Sequence, residues 1–146
     1  MATIKLALIG FIAGFAATLV FHQGLWAALY GASILPAEMR PWPLNPIPPF
    51  GVPSVISKAF WGGLWGGALA LTLSGFQRTQ YWLSWIVIGA LAPTLVGNIV
   101  VPLIKGLGLQ PLDAKRLVVG LIVNGAWGFG TALLLRFFDN REPARA

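Results

Sequence analysis

Four long apolar runs, separated by shorter polar breaks, occupy most of this chain: residues 6–35, 55–76, 82–104 and 117–138. A helix needs about 20 mostly apolar residues to cross the hydrocarbon core of a bilayer. Because lipid offers no hydrogen-bond partners, the backbone of each run must satisfy itself as a helix. The pattern predicts an all-α fold, an integral membrane bundle of four transmembrane helices that forms a single membrane domain over residues 1–146.

The longest break, residues 36–53, contains seven of the eleven prolines in the chain. Proline fixes φ, removes a backbone donor and disfavours helix at the preceding residue. We therefore expect a stiff, extended, proline-rich loop between helices 1 and 2. Its apolar residues suit two roles, a lid packed on the end of the bundle or a docking strap for a partner. A short polar tail, residues 139–146, ends the chain.

The break at residues 77–81 is short, and it predicts that the second and third helices are antiparallel neighbours. In a four-span arrangement five basic residues fall on each side of the membrane, so the excess of cytoplasmic Lys and Arg seen in membrane proteins gives no orientation by itself. The short, basic terminal segments favour cytoplasmic termini. The proline-rich loop would then face the non-cytoplasmic side.

Composition supports a lipid environment. Hydrophobic residues make up 57% of the chain and charged residues 10%, against roughly 25% charged residues in a soluble domain. The net charge of +6 is spread thinly along the chain, whereas a nucleic-acid interface needs a dense basic patch. We expect membrane lipids as partners and no nucleic acid.

Glycines recur at a spacing of four residues, which brings helix backbones close enough for van der Waals contact in lipid. The predicted helix-packing positions are Gly10, Gly14, Gly62, Gly63, Gly66, Gly67, Gly120 and Gly128. Such GxxxG packing fits contacts within one bundle or between subunits. Because glycine occurs on more than one face of the second helix, the pattern favours a homo-oligomer or a subunit of a larger membrane complex.

Polar side chains inside membrane helices are costly and are therefore functional candidates. Five of them fall in the half of the membrane nearest the proline-rich loop: His22, Gln23, Lys58, Asn98 and Asn124. They predict a polar vestibule that the loop partly covers, with Pro93 as a hinge. The alternatives are structural: the asparagines bond across helices, Lys58 extends to the headgroups, and His22 is a satisfied helix contact.

The aromatic residues are predicted to lie at two depths in the membrane. Tyr81, Trp82 and Trp85 are predicted to form an interfacial belt at the start of the third helix. Trp65 and Trp127 lie deeper, where their indole N–H groups need partners.

Catalytic chemistry finds no support in the sequence. The four carboxylates lie in loops or the tail, and no pair of them suggests acid–base work. There are no cysteines, and a single histidine cannot build a zinc site. We expect no catalytic residues, no metal and no cofactor.

Three segments carry a resemblance: PPFGVP (residues 48–53), FWGGLWGG (60–67) and NGAWGFGTALLL (124–135). They resemble segments of small, uncharacterised bacterial inner-membrane proteins that are rich in Trp and Gly. The resemblance implies a multi-pass protein of the bacterial inner membrane and transfers no activity.

Three functions remain open on this basis. The leading one is a non-enzymatic accessory, assembly or structural subunit that acts through helix packing. The alternatives are a small oligomeric transporter or channel that uses the polar vestibule, and a lipid- or quinone-binding protein with a site lined by Trp61, Trp65 and Trp127.

Overall fold

Four long helices make up the structure, a computed structural model that describes residues 2–109, 111 and 113–139. They are α1 (Ala2–Gly31), α2 (Ser54–Leu73), α3 (Arg78–Ile104) and α4 (Ala114–Asp139). Each predicted run overlaps one helix, and the bounds differ by up to four residues. Beyond Asp139 the predicted tail lies outside the described residues.

The all-α class is confirmed, and three helices are long and apolar enough to cross a membrane. They are Ala2–Gly31, Arg78–Ile104 and, within α4, Ala114–Phe138. Helix α2 is not among them, since four glycines and Lys58 dilute its apolar residues. Many large apolar side chains on the outside of the helices are exposed, such as Ile4 at 67% and Leu8 at 58%, as expected for surfaces that face lipid.

The helices form an arc in which α1 and α4 lie at the centre. Helix α2 packs along α1, α3 packs along α4, and α1 contacts α4. Although a short turn joins α2 to α3, these two helices contact each other little. The prediction that they pack as neighbours is therefore wrong, because each finds a better-fitting glycine face on another helix.

The contact between α1 and α2 is close because glycines face glycines. A Cβ atom added to Gly10 or Gly14 would lie less than 3.0 Å from the carbonyl oxygen of Gly66 or Gly62, respectively. Next to them, Gly63 faces the ring of Phe11, which occupies the space that a side chain would need.

The contact between α3 and α4 is also made by glycines that face each other. A Cβ added to Gly89 would lie only 2.9 Å from the Cα of Gly128. A Cβ added to Gly128 would meet the carbonyl oxygen of Trp85. Gly120 faces the side chain of Thr94. The glycines at these positions thus lie at contacts between helices of a single chain.

Two helices contain a short π-helical segment, at Thr18–His22 in α1 and at Val96–Val100 in α3. The segment in α3 ends two residues before Pro102, which has no N–H to continue a regular α-helical ladder. The proline-rich loop also contains a minimal antiparallel pair, β1 (Pro46–Ile47) and β2 (Val52–Pro53). Neither feature is evident in the hydropathy pattern.

Two of the three residues of the predicted aromatic belt are buried within the bundle. Tyr81 is 4% exposed and Trp85 is fully buried, so both belong to the core between α3 and α4. The Tyr81 hydroxyl donates to the Ala132 carbonyl at 2.9 Å, and the Arg136 guanidinium lies 4.4 Å from the Tyr81 ring centroid. Trp82, which packs against Phe129 with ring centroids 5.6 Å apart, is half-buried.

Candidate functional site: a cleft between the second and third helices

The divergence of α2 and α3 leaves a cleft of about 740 Å³ between them. Its walls are contributed by α2 and by α3 with the residue that follows it, and its floor by α1 and α4. The α2 wall consists of Lys58, Trp61, Gly62, Leu64, Trp65 and Ala68. The opposite wall consists of Pro93, Val96, Gly97, Val100, Val101, Ile104 and Lys105. Most of this lining is apolar.

The cleft runs along the half of the helices that lies towards the proline-rich loop. Helix α2 begins at that end and α3 finishes there; Lys58 lies in the second turn of α2, and Lys105 directly follows α3. Ala68 is the lining residue of α2 nearest the 74–77 turn, and Pro93 is the lining residue of α3 nearest it. The cleft is therefore mostly apolar, with one lysine on each wall.

The floor is made by Thr18, His22, Asn124 and Trp127. Two of their donors converge on one carbonyl oxygen, that of Gly14: the Thr18 hydroxyl donates at 2.9 Å and the Trp127 indole N–H at 3.0 Å. A buried indole N–H usually finds such a partner. These two floor residues therefore offer a ligand mainly apolar surface.

Asn124 and Asn98 have different roles. The Asn124 amide donates across the α3–α4 contact to the Thr94 hydroxyl at 2.9 Å, and Asn124 lines the cleft. The Asn98 amide donates to the Thr94 carbonyl of its own helix at 2.8 Å. Asn98 is not among the lining residues of the cleft, and its side chain bonds a carbonyl of its own helix.

Gln23 also lies outside the cleft, because its side chain holds the proline-rich loop. Its Oε1 accepts the backbone N–H of Trp42 at 2.7 Å, and it is 1% exposed. This bond fixes the amide orientation and turns Nε2 towards Nδ1 of His22, 3.4 Å away. An amide NH₂ group can only donate, so Nδ1 is the acceptor in this contact.

His22 lines the cleft as part of an aromatic stack. Its ring is parallel to that of Trp26, with centroids 6.1 Å apart, and the Lys58 ammonium lies 5.8 Å from the centroid of Trp26. A cation over a tryptophan face is attracted by the ring quadrupole. Trp26 therefore connects the two predicted vestibule residues that come from different helices.

The proline-rich loop is attached to α1 and does not cover the cleft. The indole of Trp26 donates to the Met39 carbonyl, and the indole of Trp42 donates to the Leu19 carbonyl, each at 2.9 Å. The Tyr30 hydroxyl donates to Ala37 at 3.2 Å. None of residues 36–53 is found among the lining residues that the structure describes, so the loop forms no part of this cleft.

The structure thus brings together His22, Lys58, Asn124 and Pro93 and separates Gln23 and Asn98 from them. Sequence reasoning missed Lys105 and Gly97 in the opposite wall. Nothing in the sequence indicated that α2 and α3 would separate.

The structure is thus that of a helical protein in which three helices are long and apolar enough to span a membrane. Comparison with protein-family models, with curated proteins and with solved structures finds no match to this chain.

Proposed function

We propose that this is a four-span protein of the bacterial inner membrane that binds a lipid-like molecule in the cleft between α2 and α3. The observation that carries the proposal is the cleft itself, whose lining is mostly apolar, with one lysine on each wall. Its volume of about 740 Å³ falls within the roughly 300–1,000 Å³ of small-molecule sites. The hydrocarbon chains of a lipid would match such a lining.

Helix α2 supports the four-span arrangement by its length and its neighbour. Its 20 residues rise about 30 Å at 1.5 Å per residue, which is the thickness of the hydrocarbon core. It also packs along the apolar helix α1 through glycine contacts. A helix held so closely against a spanning helix shares its depth, and its glycines face protein rather than lipid.

The glycine contacts weaken the support for an accessory or structural subunit. The leading expectation, an accessory or structural subunit, rested on glycine faces that could receive a partner. Those faces are occupied by helices of the same chain. A subunit role remains the second candidate, supported by the apex of the loop, where Leu44 is 72% and Phe50 is 86% exposed.

Lipid retention tests the proposal directly. The protein would be extracted into native nanodiscs, transferred to a mild detergent and analysed by native mass spectrometry for bound lipid. In the cleft wall, a Cβ on Gly97 meets no atom within 4 Å. Gly97→Phe should therefore fill the cleft without displacing backbone, and retained lipid should fall by tenfold or more.

The chain offers a matched control. Gly24 is also a helical glycine whose Cβ would meet nothing within 4 Å, and it does not line the cleft. Gly24→Phe should retain lipid as the unmodified protein does. Equal lipid retention by the Gly97→Phe and Gly24→Phe variants would overturn the proposed function.

A further inference from the structure

We propose that the ligand of the cleft is a free fatty acid, a lipid with a single acyl chain, whose carboxylate binds at Lys58 and His22. This inference rests on the proposed function and names the chemistry of its ligand. The acyl chain would lie along the apolar residues of α2 that line the cleft between Lys58 and the 74–77 turn.

The register of α1 against α2 places Lys58 beside His22. The two helices run in opposite directions, as their pairs of facing glycines show, and a Cβ added to Gly62 would collide with the Thr18 hydroxyl. Lys58 precedes Gly62 by four residues and His22 follows Thr18 by four, so each lies about one turn further towards the proline-rich loop, on the same side of its helix. Both side chains line the cleft.

The contacts of Trp26 show the same proximity. The centroid of its ring lies 5.8 Å from the Lys58 ammonium and 6.1 Å from the centroid of the His22 ring, which is parallel to it. An aromatic face does not neutralise the ammonium, and Lys58 forms no ion pair within the part of the chain that the structure describes. Because a charge at membrane depth is costly without a partner, an anion bound here would stabilise Lys58.

His22 is placed to donate to the same anion. Its Nδ1 is the acceptor in the contact with the Gln23 amide, and Nε2 has no hydrogen-bond partner among the described residues. A carboxylate has two acceptor oxygens. One oxygen would accept from the Lys58 ammonium and the other from the Nε2–H of His22.

The depth of Lys58 favours a small headgroup. Lys58 is the fifth residue of α2, about 6 Å along the helix from its first residue at 1.5 Å per residue. In the four-span arrangement this position lies inside the hydrocarbon core. A carboxylate is attached directly to its chain, whereas a phospholipid would bring its glycerol and phosphate groups to the same depth, where polar atoms without partners are costly.

The acyl chain has a continuous apolar track to follow. Trp61, Leu64 and Ala68 line the cleft and follow Lys58 at intervals of three or four residues, so they share one face of α2. From Lys58 to Ala68 this face extends for about 15 Å. A single helix face of this length suits one acyl chain.

Native mass spectrometry in detergent tests the inference with two probes that have the same saturated chain, palmitate and hexadecanol. We expect palmitate to bind the unmodified protein about tenfold more tightly or better, since hydrogen bonds between charged groups are roughly twice as strong as neutral ones. Lys58→Gln should lose this preference, whereas Lys58→Arg should keep it. Persistent binding of hexadecanol by Lys58→Gln would show that the variant folds.

A second variant tests the histidine. His22→Phe keeps an aromatic ring against Trp26 and removes the donor, so the preference for palmitate should fall several-fold. An unchanged preference in this variant would overturn the role of His22 as the second donor.

The matched control removes the same charge from the other wall. Lys105 also lines the cleft, but it follows the end of α3 and lies away from His22 and Trp26. Lys105→Gln should therefore keep the preference for palmitate. If this control lost the preference as fully as Lys58→Gln, the selectivity would come from a diffuse positive field, and the inference would be wrong.

The outcomes also separate this inference from the proposed function. Equal binding of palmitate and hexadecanol that Gly97→Phe abolishes would overturn the carboxylate and leave lipid binding intact. Binding of both probes that Gly97→Phe does not reduce would overturn lipid binding in the cleft. Phosphatidylglycerol that displaces palmitate at a lower concentration than palmitate itself requires would show a phospholipid site, and the fatty-acid assignment would fall.

Discussion

Gly14 joins three helices through its backbone. Its carbonyl accepts both the Thr18 hydroxyl and the Trp127 indole, so α4 is hydrogen-bonded to α1 at the point where α1 is closest to α2. A side chain at this position would separate the backbones and weaken these bonds. Close packing of the helices therefore requires glycine at this position, which helix propensity alone would not indicate.

Gly14→Ala should destabilise the fold because its Cβ would meet the carbonyl oxygen of Gly62 at less than 3.0 Å. The obstructing atoms belong to a helix backbone and cannot move aside as a flexible side chain could. Overpacking of this kind costs about 1–3 kcal/mol. The free energy of unfolding, measured by SDS titration in mixed micelles, should fall by that amount.

The matched substitution is Gly24→Ala, in the same helix, where a Cβ meets nothing within 4 Å. Because alanine is the better helix former by about 0.5–1 kcal/mol, this variant should be as stable as the unmodified protein or slightly more so. Equal losses at both positions would show that the close contact at Gly14 is not what matters.

Among the elements, the proline-rich loop shows how a segment without helix can be held firmly. Trp42 adopts a φ of 44°, in the left-handed region that costs an L-residue about 1–2 kcal/mol. Two hydrogen bonds compensate, from its backbone N–H to Gln23 and from its indole to the Leu19 carbonyl. The π-helical segment of α1 includes Leu19, so the loop is fastened where that helix departs from regular geometry.

Gln23→Met should loosen the loop, since the buried acceptor for the Trp42 N–H is lost while side-chain size is kept. A net hydrogen bond contributes about 0.5–1.5 kcal/mol, and 1.4 kcal/mol corresponds to about tenfold in an opening equilibrium. Hydrogen exchange at the Trp42 amide should therefore accelerate by several-fold to tenfold.

The exposed Gln80 provides the comparison, because Gln80→Met makes the same chemical change at the start of α3. Exchange in the loop should be unaffected by it. If Gln23→Met left loop exchange unchanged as well, the remaining bonds from Trp26, Tyr30 and the Trp42 indole would be sufficient to hold the loop.

At the scale of the whole molecule, the arc of helices makes a prediction about topology. If α2 spans the membrane, the loop around Phe50 and the segment around Leu109 lie on one side, and the turn at Gly75 lies on the other. The chain contains no cysteine, so single cysteines at these positions can be labelled without background. Phe50 is 86% and Leu109 is 72% exposed, so labelling there would not disturb packing.

With cytoplasmic termini, a membrane-impermeant maleimide added to spheroplasts should label Phe50→Cys and Leu109→Cys. Gly75→Cys should react only after permeabilisation. Labelling of the Phe50 and Gly75 positions from the same side would show that α2 does not cross, and the four-span arrangement would have to be abandoned.

The helices themselves were predictable, and the site was predictable only in part. Apolar run length located all four helices, and helix direction placed His22, Lys58 and Asn124 in one half of the molecule. The same reasoning did not show that Gln23 bonds the loop and Asn98 its own helix, because a polar side chain in a helix can bond a loop or its own backbone as easily as face a cavity. The position of a residue along a helix can be estimated from the sequence, whereas the direction in which its side chain points depends on its neighbours.

Composition and run length determined that this chain is all-helical and suited to a membrane, because burial in lipid depends on each segment by itself. Tertiary structure decided which helices pair. The glycine faces of α2 were compatible with α1, with α3 or with another subunit, and only the fit of complete surfaces selected α1. That selection left α2 and α3 apart, and the cleft with its two lysines exists for this reason.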